Sequence, residues 1–107
     1  MNWINLTNTY ELSKIKDDSF QNPQFIFKHS TRCSISKMVL NRFESNNDTA
    51  SFSAYLLDLL NYRDLSNQIE DDFNVKHESP QLLVINKGEC NLCFSHTNIN
   101  QINIADL

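Results

Sequence analysis

Phe27-Lys28-His29-Ser30-Thr31-Arg32-Cys33-Ser34-Ile35-Ser36-Lys37 is the stretch on which the reading of this chain turns. Its upstream end completes a continuous run, Gln24-Phe25-Ile26-Phe27-Lys28-His29, rich in β-favouring residues, which reads as a buried strand. Its downstream end opens the segment Cys33 to Phe43. There Ile35, Met38, Val39, Arg42 and Phe43 recur at mixed spacings of three and four, as in an amphipathic helix. A cysteine therefore stands where a buried strand ends and a helix starts. Helix N-termini present unpaired N–H groups and the positive end of the macrodipole, and both favour a thiolate over a thiol. Lys28, His29, Arg32 and Lys37 add a positive local field, with no acidic residue between Phe25 and Arg42. Such surroundings make a cysteine nucleophilic at neutral pH. Ser34 and Ser36 are close enough in sequence to donate hydrogen bonds to the sulfur. His29 either helps to stabilise the thiolate or is an ordinary loop histidine.

Working outward, Trp3 and Ile4 open a short edge strand, and Thr9 is placed to cap a helix with Leu12 and Ile15 on its inner face and Lys16 near its end. Pro23 closes that segment ahead of the strand. Asn46-Asn47-Asp48, within the polar patch Ser45–Thr49, ends the second helix, and Ala54-Tyr55-Leu56-Leu57 reads as a second buried strand. Asp64 is placed to cap a third helix with Leu65, Ile69 and Phe73 at intervals of four, closed by Asn74 in the left-handed conformation. Gln81-Leu82-Leu83-Val84-Ile85 is a third buried strand. Asn86-Lys87-Gly88-Glu89 forms a tight turn, and Cys90-Asn91-Leu92-Cys93-Phe94 pairs back as a hairpin. Thr97 would cap a final helix with Ile99 and Ile102 inside. The expected order is β-α-β-α-β-α-β-β-α, an α/β fold with a mixed central sheet and helices on both faces.

Composition narrows the chemistry. The chain has 107 residues, which fits a single domain spanning 1–107, and 40% hydrophobic residues supply a core. Its single glycine excludes a GxGxxG dinucleotide loop, a GxxxxGK phosphate loop and a GxSxG nucleophile elbow. Nine Lys+Arg against thirteen Asp+Glu give a net charge of -4, without the basic face of a nucleic-acid binder. The apolar-rich stretch Phe52 to Leu60 is too short to cross a membrane. Met1-Asn2-Trp3-Ile4-Asn5 lacks the pattern of a secretory signal, so a cytoplasmic protein without membrane or nucleic-acid partners is expected. Three cysteines, an odd number, do not suggest a disulfide framework.

Cys33-Ser34-Ile35-Ser36 is C-x-x-S. Serine cannot resolve a mixed disulfide, so the site suits exchange with a small thiol that brings the second sulfur. The element order, the cysteine at a helix start and Ser79-Pro80 before a strand resemble the thioredoxin-like fold. More closely, Ile26–Ser36, Leu60-Asn61-Tyr62-Arg63-Asp64-Leu65-Ser66 and Lys76-His77-Glu78-Ser79-Pro80-Gln81 resemble the YtxJ-type monothiol bacilliredoxins. The family pattern T-x-C-P-I-S is here Thr31-Arg32-Cys33-Ser34-Ile35-Ser36, with Ser34 in place of the proline. The resemblance implies a thiol–disulfide oxidoreductase that removes bacillithiol from bacillithiolated proteins, with bacillithiol as co-substrate and no permanently bound cofactor. It implies Cys33 as nucleophile, while the helix start and the local charge assign Ser34, Ser36, Arg32 and His29 to stabilising its thiolate. It further implies that Thr31, Ser79 and Pro80 meet the substrate, with Pro80 in a cis bond. The competing function is a non-catalytic, stress-linked interaction module on the same scaffold.

Cys90-Asn91-Leu92-Cys93 is a literal C-x-x-C, extended by His96, with His77 as a further nitrogen. On a regular strand, residues three apart face opposite sides, and the spacing matches no usual zinc pattern. No metal is expected, and both cysteines read as strand residues. Tyr62 and Arg63 read as fixing the loop into the third helix.

Overall fold

A computed structural model describes residues 3–47 and 52–107 of the chain. Met1 and Asn2, and Asp48 and Thr49 of the polar patch, lie outside the described residues. The element order is β1 (Ile4–Asn5), α1 (Thr9–Asp18), β2 (Gln24–His29), α2 (Ser34–Asn46), β3 (Ser53–Asp58), α3 (Arg63–Phe73), β4 (Gln81–Asn86) and β5 (Glu89–Ser95). Two 3₁₀ turns follow, His96–Gln101 and Ile104–Asp106, where an α-helix was expected. The first packs Ile99 fully inside, as the sequence suggests. It is tied to α2 by Asn100 Nδ2 donating to the Val39 carbonyl at 3.0 Å. The second is held when Ile104 N–H donates to Asn47 Oδ1 at 2.9 Å. Each turn is anchored individually, so neither needs the length of an α-helix.

The strand order is β1-β3-β2-β4-β5. β1, β3 and β2 run parallel, whereas β4 is antiparallel to β2 and β5 to β4. β2 is central and covered on both faces, which is why all six of its residues are buried. Its alternation divides the core. Ile26 packs with Leu12 and Ile15 of α1, Leu65, Ile69 and Phe73 of α3, and Leu83 and Ile85 of β4. Phe25 and Phe27 pack with Val39, Leu40 and Phe43 of α2 and with Ile99 and Ile104.

Local details differ from the sequence reading in three places. Asn8, not Thr9, caps α1, its side chain accepting from Glu11 N–H at 2.9 Å. Tyr62 is the capping position of α3, and Asp64 lies in its first turn, where a carboxylate suits the dipole. In α2 the inner stripe is Ser36, Val39, Leu40 and Phe43, leaving Ile35 (54% exposed) and Met38 (38% exposed) outside. Asn74 is left-handed at φ 53 and closes α3 as expected.

The β4–β5 turn has Lys87 at φ 53 and Gly88 at φ 78, the left-handed pair a two-residue hairpin requires. Ser19 receives it, its carbonyl accepting from Lys87 N–H at 3.1 Å and its Oγ from Gly88 N–H at 2.7 Å. Beyond the turn, β5 is irregular. Ile85 pairs with Cys90 and Val84 with Leu92, so Asn91 is an extra residue. Because of that bulge, Cys90 and Cys93 do not face opposite sides. They oppose Ile85 and Leu83, which share a face, and Cys90 packs against the α1/α3 core.

Candidate active site

Three segments meet at one end of the sheet. His29 at the carboxyl end of β2 lies opposite Asp58 at the carboxyl end of β3, and Lys28 lies opposite Gln81, the first residue of β4. The loops after β2 and β3 and the Ser79-Pro80 segment before β4 are thereby brought to one rim. Open α/β sheets place their sites at such carboxyl ends.

Cys33 occupies the N-cap of α2, with extended backbone at φ -103 and ψ 119. Its N–H donates to the Ser30 carbonyl at 3.2 Å, and its carbonyl accepts from Lys37 N–H at 3.0 Å. The backbone is thus committed to the cap while the side chain makes no capping hydrogen bond. The sulfur is a free, partly exposed thiol at the positive end of a thirteen-residue helix. Ser34 is the exposed first residue of α2. Thr31 and Arg32 are also exposed, and with Leu60 and Asn61 they line an open depression of about 300 Å³ beside the cysteine loop. Its far wall is set by Asp58, which accepts from Leu60 N–H at 3.2 Å and from Asn61 Nδ2 at 2.7 Å. Tyr62 N–H donates to the Asp58 carbonyl at 3.0 Å, and Arg63 begins α3.

His29 and Ser36 are brought together beneath this loop. His29 Nδ1 lies 2.7 Å from Ser36 Oγ, which also accepts from Ser30 N–H at 3.1 Å. Burial lowers the His29 pKa, with Asp58 opposing and Lys37 reinforcing the shift, so the imidazole is neutral at neutral pH. Nδ1 and the Ser36 hydroxyl share one hydrogen bond, and the pair clamps the strand-to-helix turn. His29 and Ser36 thus brace the backbone that carries Cys33.

Lys28 is the residue whose place sequence reasoning missed. Sequence position puts it in the positive field around the cysteine, but its side chain is wholly buried on the α1/α3 face. Nζ donates to the Ser66 carbonyl at 3.2 Å and lies 3.3 Å from His77 Nδ1. Ser66 Oγ is 3.2 Å from the same Nδ1, and Glu70 Oε1 accepts from His77 N–H at 2.9 Å. Gln81 Nε2 donates to the Lys76 carbonyl at 3.0 Å. The segment leading to Pro80 is therefore pinned to α3 and to the sheet from below. Burial pushes the Lys28 ammonium down to about 8, against the pull of Glu70 and Cys93. Burial and then Lys28 also lower His77. The available signal is a lysine two residues after Ile26, on the same face of a buried strand.

The Ser79-Pro80 bond is cis. Pro80 is buried and its carbonyl accepts from His96 N–H at 2.9 Å, while Ser79 Oγ is buried without a hydrogen-bond partner. Among the described residues no group of three or more His, Cys, Asp or Glu side chains is arranged to hold a metal ion, and no helix is long and apolar enough to cross a membrane.

The family model for the monothiol bacilliredoxin BrxC matches residues 4–104. A solved structure described as a candidate oxidoreductase with a thioredoxin fold is similar over 96% of this chain and 90% of its own, at 30% identity and a TM-score of 0.80. Thioredoxin from Malassezia sympodialis is similar in fold over 94% of this chain and 84% of its own, at 14% identity and a TM-score of 0.72. Thioredoxin from Trypanosoma brucei brucei is similar over 94% and 83%, at 10% identity and a TM-score of 0.74. With a free cysteine at the N-cap of α2, a cis-proline segment on the same rim and a match across nearly all its length, the chain belongs to the monothiol bacilliredoxin family of thioredoxin-fold oxidoreductases.

Proposed function

We propose that this chain is a single-cysteine thiol–disulfide oxidoreductase that removes bacillithiol from protein mixed disulfides in the cytoplasm. The observation that carries the proposal is the Cys33 sulfur, partly exposed at the start of α2 with no capping bond and with serine, not cysteine, three residues on. The Cys33 thiolate attacks the bacillithiol sulfur of the mixed disulfide. The S–S bond to the target breaks, the target leaves as a thiolate and takes a proton, and Cys33 carries bacillithiol. A second bacillithiol thiolate attacks that sulfur, forming oxidised bacillithiol and regenerating Cys33. No bound cofactor is needed, since the co-substrate supplies the second thiol.

The surroundings suit these steps. The first-turn N–H groups of α2, including that of Ser34, and the positive end of the helix dipole lie at the end of the helix that carries Cys33. Thr31 and Arg32 border a polar depression of a size for a small thiol. Exposed Ile35 and Met38 on α2 offer apolar contacts to a target protein, and the backbone of half-buried Ser79 on the same rim offers polar ones. The test is to treat the chain with oxidised bacillithiol and map the adduct by peptide mass. Bacillithiol is expected on Cys33, and a Cys33 left free while the reagent is consumed elsewhere would refute the proposal.

A further inference from the structure

The two remaining cysteines lie outside this site, on the edge strand. The bulge at Asn91 sets Cys90 opposite Ile85 and Cys93 opposite Leu83. Ile85 and Leu83 are two residues apart on one face, a rise of about 6.6 Å along β4, and their partners Cys90 and Cys93 are set side by side on β5 at a comparable spacing. Disulfides span Cα separations of about 4.4–6.8 Å, and a bulged edge strand paired on one side only has room to tighten. The two sulfurs are held differently. Cys90 is half-buried against the core and its thiol donates to the Leu92 carbonyl at 3.2 Å. Cys93 is exposed, and its sulfur accepts from Gln81 Nε2 at 3.3 Å.

We propose that Cys90 and Cys93 are a second, dithiol redox site, which closes to an intrachain disulfide when the chain meets a small-molecule disulfide. The exposed Cys93 thiolate attacks one sulfur of the small disulfide, forming a mixed disulfide and releasing one small thiolate. The Cys90 thiolate then attacks the Cys93 sulfur, forming the Cys90–Cys93 bond and releasing the second. Two electrons pass from the dithiol to the reagent, and the two thiol protons end on the released thiolates. Closure is slow at neutral pH. Burial pushes the Cys90 thiol up to about 11, with Cys93 adding to the shift, and burial raises Cys93 as well. Of the charged groups facing Cys93, Glu78 raises its thiol and Lys28 lowers it. The site therefore responds to sustained disulfide load.

The test uses the full chain carrying Cys33→Ser, treated with excess glutathione disulfide at mildly alkaline pH, quenched in acid and weighed intact. The expected product has lost two hydrogens, carries no glutathione and has its disulfide within residues 90–93. In the same background, Cys90→Ser is expected to accumulate one glutathione on Cys93. In the chain carrying Cys33→Ser alone, two free thiols after prolonged treatment, stable glutathione on either cysteine, or closure seen only in urea would each overturn the proposal. Circular dichroism of the Cys33→Ser chain establishes that it is folded during the reaction.

Discussion

Cys33 and Lys28 show what a single residue reveals and what it conceals. The cysteine proposed as the nucleophile stands out in the sequence because its setting is local: the end of an apolar run, the start of a helical period and no acid nearby. The neighbours' roles were not legible, because they depend on which way each side chain turns. His29 and Ser36 meet beneath the loop at 2.7 Å, and Lys28 turns to the opposite face to hold His77. That burial has a consequence for pH dependence. The ammonium of Lys28 is depressed to about 8 in the fold, whereas a lysine in the unfolded chain titrates near its ordinary value of 10.5. Between these values the unfolded chain holds a proton that the folded chain has lost, so stability rises with pH across the window. Lys28→Met removes this group. The urea midpoint of the native chain relative to Lys28→Met is therefore expected to climb between about pH 8 and pH 10.5. A constant difference across that range would show that Lys28 is not buried as a perturbed cation.

At the level of elements, every strand and the first three helices were legible from periodicity, because β2 and β4 are continuous apolar runs and the helices carry their stripes. The boundaries that slipped did so for capping reasons. Asn8 precedes Thr9 with an equally good acceptor, and a single sequence does not rank the two. The outward rotation of Ile35 and Met38 follows from the true inner stripe of Ser36, Val39, Leu40 and Phe43, in which a buried serine held by His29 occupies a position that pattern reading gives to an apolar residue. The bulge at Asn91 was invisible because only pairing with β4 defines it. The β4–β5 turn was readable from its glycine. At φ 78, and with the Phe20 ring 3.2 Å from where a β-carbon would stand, Gly88→Ala is expected to lower stability by about 1 kcal/mol. A fall in the urea midpoint without change in slope would confirm it, and an unchanged midpoint would show the turn relaxing freely.

Across the molecule, the sheet order β1-β3-β2-β4-β5 does the assembling. Strand alternation along the sequence made an α/β sheet readable, but the placement of β2 at its centre and the reversal at β4 are facts of pairing. Those pairings bring Cys33, Asn61 and the Ser79-Pro80 segment to one rim from positions far apart in the chain. The remaining cysteines sit on the edge strand β5, which leaves Cys33 as the sulfur on which the proposed rim chemistry rests. The most direct test measures release of bacillithiol from a bacillithiolated protein, with free bacillithiol present, by three forms of the chain. The native chain and the Cys90→Ser/Cys93→Ser double variant are expected to release it at comparable rates, and Cys33→Ser only at the uncatalysed rate. Release by Cys33→Ser at the native rate would contradict the account.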